Sequence, residues 1–127
     1  MPLVRISLPL NTLAVDVAAV SAAIHNALVA TFEVPEPDRF HAIHHHNPQE
    51  LICTPEFLGV AHSKQVVFVQ ISCSGGRSVE MKKALYAKIA VDISEATRFQ
   101  SEDVIINLLE TSRENWSFGR GVAQYAL

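Results

Sequence analysis

The chain is poor in cysteine, with two among 127 residues, and Cys53 and Cys73 form no CxxC pair. That excludes a disulfide framework and a thiolate zinc knuckle, and leaves two isolated cysteines as small buried hydrophobes in a reducing compartment. Blocks of like charge are also missing. Ten Lys and Arg against thirteen Asp and Glu give a net charge of -3, so the basic footprint of a nucleic-acid binder is absent. The N-terminus has no basic leader with an apolar core, and no apolar run approaches the roughly 18 residues of a membrane span. A cytoplasmic protein with neither nucleic acid nor membrane as partner is the expectation. What is abundant is hydrophobic content, 49% of the residues, enough at this length to bury the core of a single domain over 1–127 without metal or disulfide.

Period-two alternation in Leu3-Val4-Arg5-Ile6-Ser7-Leu8 predicts a strand closed by Pro9. Leu13, Val17, Val20, Ile24, Leu28 and Phe32 then recur at helical spacing, predicting a helix of about 20 residues from an Asn11 or Thr12 cap to Val34. Pro35 stops it. Glu36-Pro37-Asp38-Arg39 reads as a turn, Phe40 to His46 as a short strand, and 47–64 as a long connection with a short strand near Leu51 to Cys53. The pattern repeats: Gln65 to Ser72 is a nearly continuous apolar strand, Met81 to Ala96 a helix with Lys82, Lys83 and Lys88 on its outer side, and Val104 to Leu109 a closing strand. Ile6 precedes Ile43 by 37 positions and Ile71 precedes Ile106 by 35, so two β-α-β units of nearly equal size are expected. They would make an α+β domain, a four-stranded mixed sheet with both helices on one face. A strand apolar on both sides then needs a second cover, and identical subunits are the simplest source.

Three stretches carry the residue types of a chemical site. A methionine ahead of a small residue such as Pro2 is normally removed, leaving a secondary amine. Its pKa, about 8 when exposed, is lowered by burial or a nearby arginine into the range of a neutral-pH base. By position alone, Pro2 also fits an ordinary strand start. Cys73-Ser74-Gly75-Gly76-Arg77-Ser78 is a turn whose free N–H groups and arginine fork suit a carboxylate, without the Gly-Lys-Ser/Thr ending of a nucleotide loop. In Asn115-Trp116-Ser117-Phe118-Gly119-Arg120-Gly121, alternation puts Trp116 and Phe118 on one side, as a pocket wall or a subunit contact. His41, His44, His45 and His46 lack the spacing and further ligands of a zinc site, so no metal is expected there.

Pro2 opening a strand, Val34-Pro35-Glu36-Pro37-Asp38-Arg39-Phe40 and Glu114-Asn115-Trp116-Ser117-Phe118-Gly119-Arg120-Gly121 together resemble the tautomerase superfamily, and within it the malonate semialdehyde decarboxylase group. The resemblance implies a β-α-β homotrimer without metal or organic cofactor, acting on a small carboxylic acid through an amino-terminal proline. Carried over by position, Pro2 is the acid-base group, Asp38 the aspartate that orients or activates water, and Arg77 the carboxylate-binding arginine. Trp116, Phe118 and Tyr125 become pocket walls. The Arg-Pro-Arg of the decarboxylase group corresponds here to Ser72-Cys73-Ser74-Gly75-Gly76-Arg77, with one arginine. The expected activity is therefore a cofactor-independent keto-enol tautomerase for a 2-oxo or enol acid of arylpyruvate type. A decarboxylase or hydratase of three-carbon 3-oxo or acetylenic acids, and a trimeric binding protein without chemistry, are the alternatives.

Overall fold

In the computed structural model, which describes residues 1–127, strand β1 (Leu3–Pro9) leads through helix α1 (Ala14–Phe32) to strand β2 (Phe40–His46). A small hairpin follows, β3 (Glu56–Phe57) with β4 (Val60–Ala61). The chain then repeats itself as β5 (Val67–Ser74), α2 (Val79–Ala96) and β6 (Val104–Thr111). The main sheet runs β2-β1-β5-β6, parallel within each β-α-β unit and antiparallel where β1 meets β5. Leu3 lies opposite Phe40 and Val67 opposite Val104, so both crossovers span the same length. The offset of 35 expected for the second unit was two residues short, because Ile106 faces Val69 and Ile71 faces Leu108.

Alternation along β1 and β5 sends Val4, Ile6, Leu8, Val67, Val69 and Ile71 to one side. There they pack on Val20, Ile24 and Leu28 of α1 and Leu85, Ile89 and Ile93 of α2. Each such side chain contributes about 1.5–3 kcal/mol of burial, and together they fix both helices on one face. The other face of β5 carries Phe68, Gln70, Ser72 and Ser74, so this strand is apolar on one side only, contrary to the sequence expectation. Part of the opposite face is covered by the chain's own tail, where Phe118 meets Phe40 at 5.7 Å between ring centroids.

Helix α1 has 19 residues and a mean hydropathy of 1.5, long and apolar enough to cross a membrane by length and composition. Asp16, Ser21, His25 and Asn26 interrupt it, so the sequence shows no unbroken apolar run of that length. Half of the helix is buried in the fold, as a core helix is. It starts without the expected cap: Leu13 holds the N-cap position, and Thr12 Oγ1 donates back to the Pro9 carbonyl at 2.7 Å. It also ends before Val34. Glu33 takes a left-handed conformation (φ 57°), and the N–H groups of Glu33 and Val34 both return to the Leu28 carbonyl, the wrap of a Schellman-type end. The strand expected near Leu51 to Cys53 does not form. A 3-10 turn occupies Pro48–Glu50, and pairing begins at Glu56.

Candidate active site

The turn after α1 is built by its prolines and pinned by polar residues of the helix. The Asp38 N–H closes it on the Pro35 carbonyl at 2.9 Å. His25, 5% exposed, donates from Nε2 to the Glu36 carbonyl at 2.7 Å, and Arg39 donates to Ser21 Oγ at 2.6 Å. Ser21 in turn donates its hydroxyl proton to Nδ1 of His41 at 2.7 Å, since that oxygen already accepts from arginine. His41 is thus held neutral. Burial above all, then Arg39 and His25, lower its pKa to about 4.

Asp38 is thereby presented to the amino terminus, its Oδ2 lying 3.7 Å from the Met1 nitrogen. Burial is the main cause lowering the pKa of this amine; Asp38 opposes it and Arg77 adds to it. Pro2 is buried directly behind. While Met1 is attached, the Pro2 nitrogen is a tertiary amide and has no useful basicity. Arg77 lies over the Phe32 ring, its Cζ 4.9 Å from the centroid, and donates to the carbonyls of Ser74 at 3.0 Å and Phe32 at 3.3 Å. The second acceptor is at the C-terminal end of α1, where a cation is favoured. The turn carrying Arg77 is held from β6, where Glu110 pairs with Lys82 at 2.5 Å. Lys82 therefore reaches back to the sheet rather than out to solvent. Gly76 at φ 110° supplies a conformation that side chains rarely adopt. Cys73 is buried and its thiol pushed up by burial, which argues against a nucleophilic role.

Two adjoining cavities share one wall at Thr111. The first, about 450 Å³, is bounded by Met1, Ser74, Gly75, Arg113 and Tyr125. The second, about 570 Å³, is bounded by Leu3, Phe40, Ser72, Trp116 and Phe118. Trp116 and Phe118 stack at 5.4 Å with planes 6° apart, and Tyr125 meets Phe118 edge-on at 5.3 Å, so the three expected wall residues form one aromatic surface. A groove of about 430 Å³ in the 48–66 connection contains neither the terminal residue nor any of the three aromatic wall residues.

The histidine strand divides between faces. His41 joins the α1 network, while the rings of His44 and His46 lie 6.4 Å apart on the open face. No three His, Cys, Asp or Glu side chains converge as a metal site would require. Sequence reasoning missed Ser21, His25, Arg39, Thr111, Glu110 and Arg113. Ser21 and His25 left a trace, a polar pair at i, i+4 among the buried positions of an apolar helix. Thr111, Glu110 and Arg113 left none.

Residues 38–119 match the family Tautomerase_2 and residues 2–61 the family Tautomerase, each described as tautomerase enzyme. The chain is 34% identical over 124 residues to the Bacillus subtilis (strain 168) protein "Probable tautomerase YusQ", covering 98% of each. Among solved structures it is similar to FG41 malonate semialdehyde decarboxylase inhibited by 3-bromopropiolate, with TM-score 0.90, 32% identity, and 97% of this chain and 93% of that one covered. A fused 4-OT wild-type symmetric trimer shares the fold at TM-score 0.78 and 18% identity, with 98% of both chains covered. The chain belongs to the tautomerase superfamily, a family of enzymes, and within it is like malonate semialdehyde decarboxylase.

Proposed function

We propose that the protein is a cofactor-independent keto-enol tautomerase acting on a small 2-oxo or enol acid with an apolar, arylpyruvate-type substituent. The observation that carries this reading is the half-dried terminal amine between Asp38 and Arg77, opening onto a cavity that continues along an aromatic wall. With Met1 removed, Pro2 supplies the amine. In the neutral form it takes a proton from the carbon beside the ketone, and the electron pair of that C–H bond becomes the enolate. The enolate oxygen is then protonated to the enol, and the reverse sequence ketonises. The positive charge of Arg77 and the N–H groups of the Gly75–Gly76 turn favour the developing enolate charge. Trp116, Phe118 and Tyr125 hold the apolar substituent, and Asp38 sets the amine's proton affinity.

Positioned proton transfer is worth roughly 10²- to 10⁴-fold. Pro2→Ala, which alters the amine's basicity and shape, should reduce turnover of phenylenolpyruvate by a factor in that range, after intact mass has established that Met1 is absent. Unchanged turnover, or a wild-type enzyme without turnover, rejects the reading. The likeness to FG41 malonate semialdehyde decarboxylase at 32% identity favours a second one, decarboxylation or hydration of a three-carbon acid with Asp38 activating water. Release of carbon dioxide from malonate semialdehyde, lost in Asp38→Asn, would support it.

The working unit we infer is a homotrimer of single-domain chains. The fused 4-OT structure is a symmetric trimer, and the β3–β4 hairpin leaves Leu58 88% and Phe57 61% exposed, apolar surface suited to a neighbouring subunit.

A further inference from the structure

The cavity beside the terminal amine contains an arginine that the sequence did not single out. Arg113 lies in the short turn after β6, fixed by the Asn115 N–H to Ser112 carbonyl bond at 3.1 Å. Its Cζ stands over the Tyr125 ring, 5.1 Å from the centroid. It makes no hydrogen bond or ion pair with any residue of the chain. Stacking uses the face of a guanidinium and leaves its edge, where all five N–H donors lie, available for a bidentate carboxylate. Arg77 is in the opposite situation, with both terminal nitrogens already donating to main-chain carbonyls.

We propose that Arg113 makes the direct contact with the substrate carboxylate, and that Arg77 acts at one remove, through its charge on the amine and through the turn it braces. This rests on the 2-oxo acid reading and deepens it. The cavity with Arg113 also has Met1, Ser74 and Gly75 in its wall; removal of Met1 opens that wall toward Pro2, so a carboxylate on the Arg113 edge brings the carbon beside the neighbouring ketone toward the Pro2 amine. The rest of the substrate passes Thr111 into the second cavity. That cavity is lined by Leu3, Phe40, Trp116 and Phe118 and contains no cation. The substrate class follows: a monocarboxylate with an apolar distal group, selected over a dicarboxylate of the same length. Arg113 is thus a specificity-determining residue whose loss raises KM more than it lowers kcat.

Binding of two unreactive probes, 3-phenylpropionate and 3-phenylpropionamide, separates this inference from the activity itself. By calorimetry, the wild-type enzyme should bind the carboxylate about tenfold or more tightly than the amide, the scale of a charge-assisted pair. Arg113→Gln should abolish the difference and Arg113→Lys restore part of it, both melting close to wild type because the side chain makes no hydrogen bond and loses only its stacking on Tyr125. Retention of the carboxylate preference in Arg113→Gln, or no preference in wild type, overturns the proposal. Failure of wild type to ketonise phenylenolpyruvate would instead overturn the tautomerase reading, since the probes bind without reacting.

Discussion

The indole N–H of Trp116 donates to Thr111 Oγ1 at 2.7 Å, and the same hydroxyl donates onward to the Cys73 carbonyl at 3.2 Å. One side chain thereby ties the aromatic tail to the end of β5, next to the turn that carries Arg77. It is also the wall common to both cavities. Thr111→Val keeps the shape and removes the oxygen, leaving a partly buried donor and acceptor without partners. Each typical hydrogen bond of this kind contributes about 0.5–1.5 kcal/mol, so a loss of roughly 1–2 kcal/mol in stability is expected. KM for an aryl enol acid should rise several-fold as Trp116 loses its anchor, and Thr111→Ser should restore most of both effects. Thermal unfolding and steady-state kinetics on the three proteins decide it; a Val variant indistinguishable from wild type in KM removes Thr111 from the positioning of Trp116.

Asp38 holds the proton affinity of the terminal amine up against the effect of burial. The Met1 amine lies below its ordinary value of 8.0, with Asp38 the strongest opposing influence, and the same signs are expected for the Pro2 amine that replaces it at this end of the chain when Met1 is removed. A base must be neutral to work, so the rate should rise with pH through a pKa below 8.0 and level off above it. Removing the Asp38 charge leaves burial and Arg77 unopposed. In Asp38→Asn the rising limb therefore moves to lower pH, and activity at pH 5–6 relative to the plateau increases. Rates of phenylenolpyruvate ketonisation between pH 5 and 9 test the sign: a limb that moves up, or stays, contradicts the role given to Asp38.

The repeat was readable because strand alternation and helical spacing obey periods that burial imposes. Val4, Ile6 and Leu8 had to face one way, and Val20, Ile24 and Leu28 had to meet them. The errors fell where local chemistry decides. Glu33 ends α1 at Phe32 through its own left-handed backbone, two residues short of Val34, so the helix stops before the restriction imposed by Pro35 is reached. The 47–64 connection has little periodicity, and its pairing depends on a turn at Leu58 and Gly59, both at positive φ. At the site, Asp38, Arg77, Trp116, Phe118 and Tyr125 were visible by resemblance; Asp38 lies beside the Met1 amine and Tyr125 shares its cavity, while Trp116 and Phe118 line the adjoining one. Thr111 and Arg113 were not visible, because their importance lies in contacts across β5 and the C-terminal turn, which no local pattern encodes.

His41 links the stability of the fold to the placement of Asp38. Its pKa of about 4 against an ordinary 6.5, set chiefly by burial and then by Arg39 and His25, means that the folded state resists a proton the unfolded chain accepts. Above pH 6.5 the residue is neutral in both states and has no effect on the pH slope. As pH falls from 6.5 to about 4, the unfolded state binds the proton first and stability is lost; below that range both states are protonated and the loss stops growing. Allowing for its partial exposure, the total is on the order of 2 kcal/mol. His41→Asn should flatten the decline in urea-unfolding free energy between pH 7 and 4.5 relative to wild type, with the carboxylates common to both proteins cancelling in the comparison. Parallel curves would show that His41 is protonated without cost. The protonated ring can no longer accept from Ser21, whose hydroxyl also holds Arg39 beside Asp38. Acid should therefore weaken the grip on the Asp38 turn before the sheet itself gives way, with exchange of the Asp38 amide rising ahead of the amides of β1 and β5.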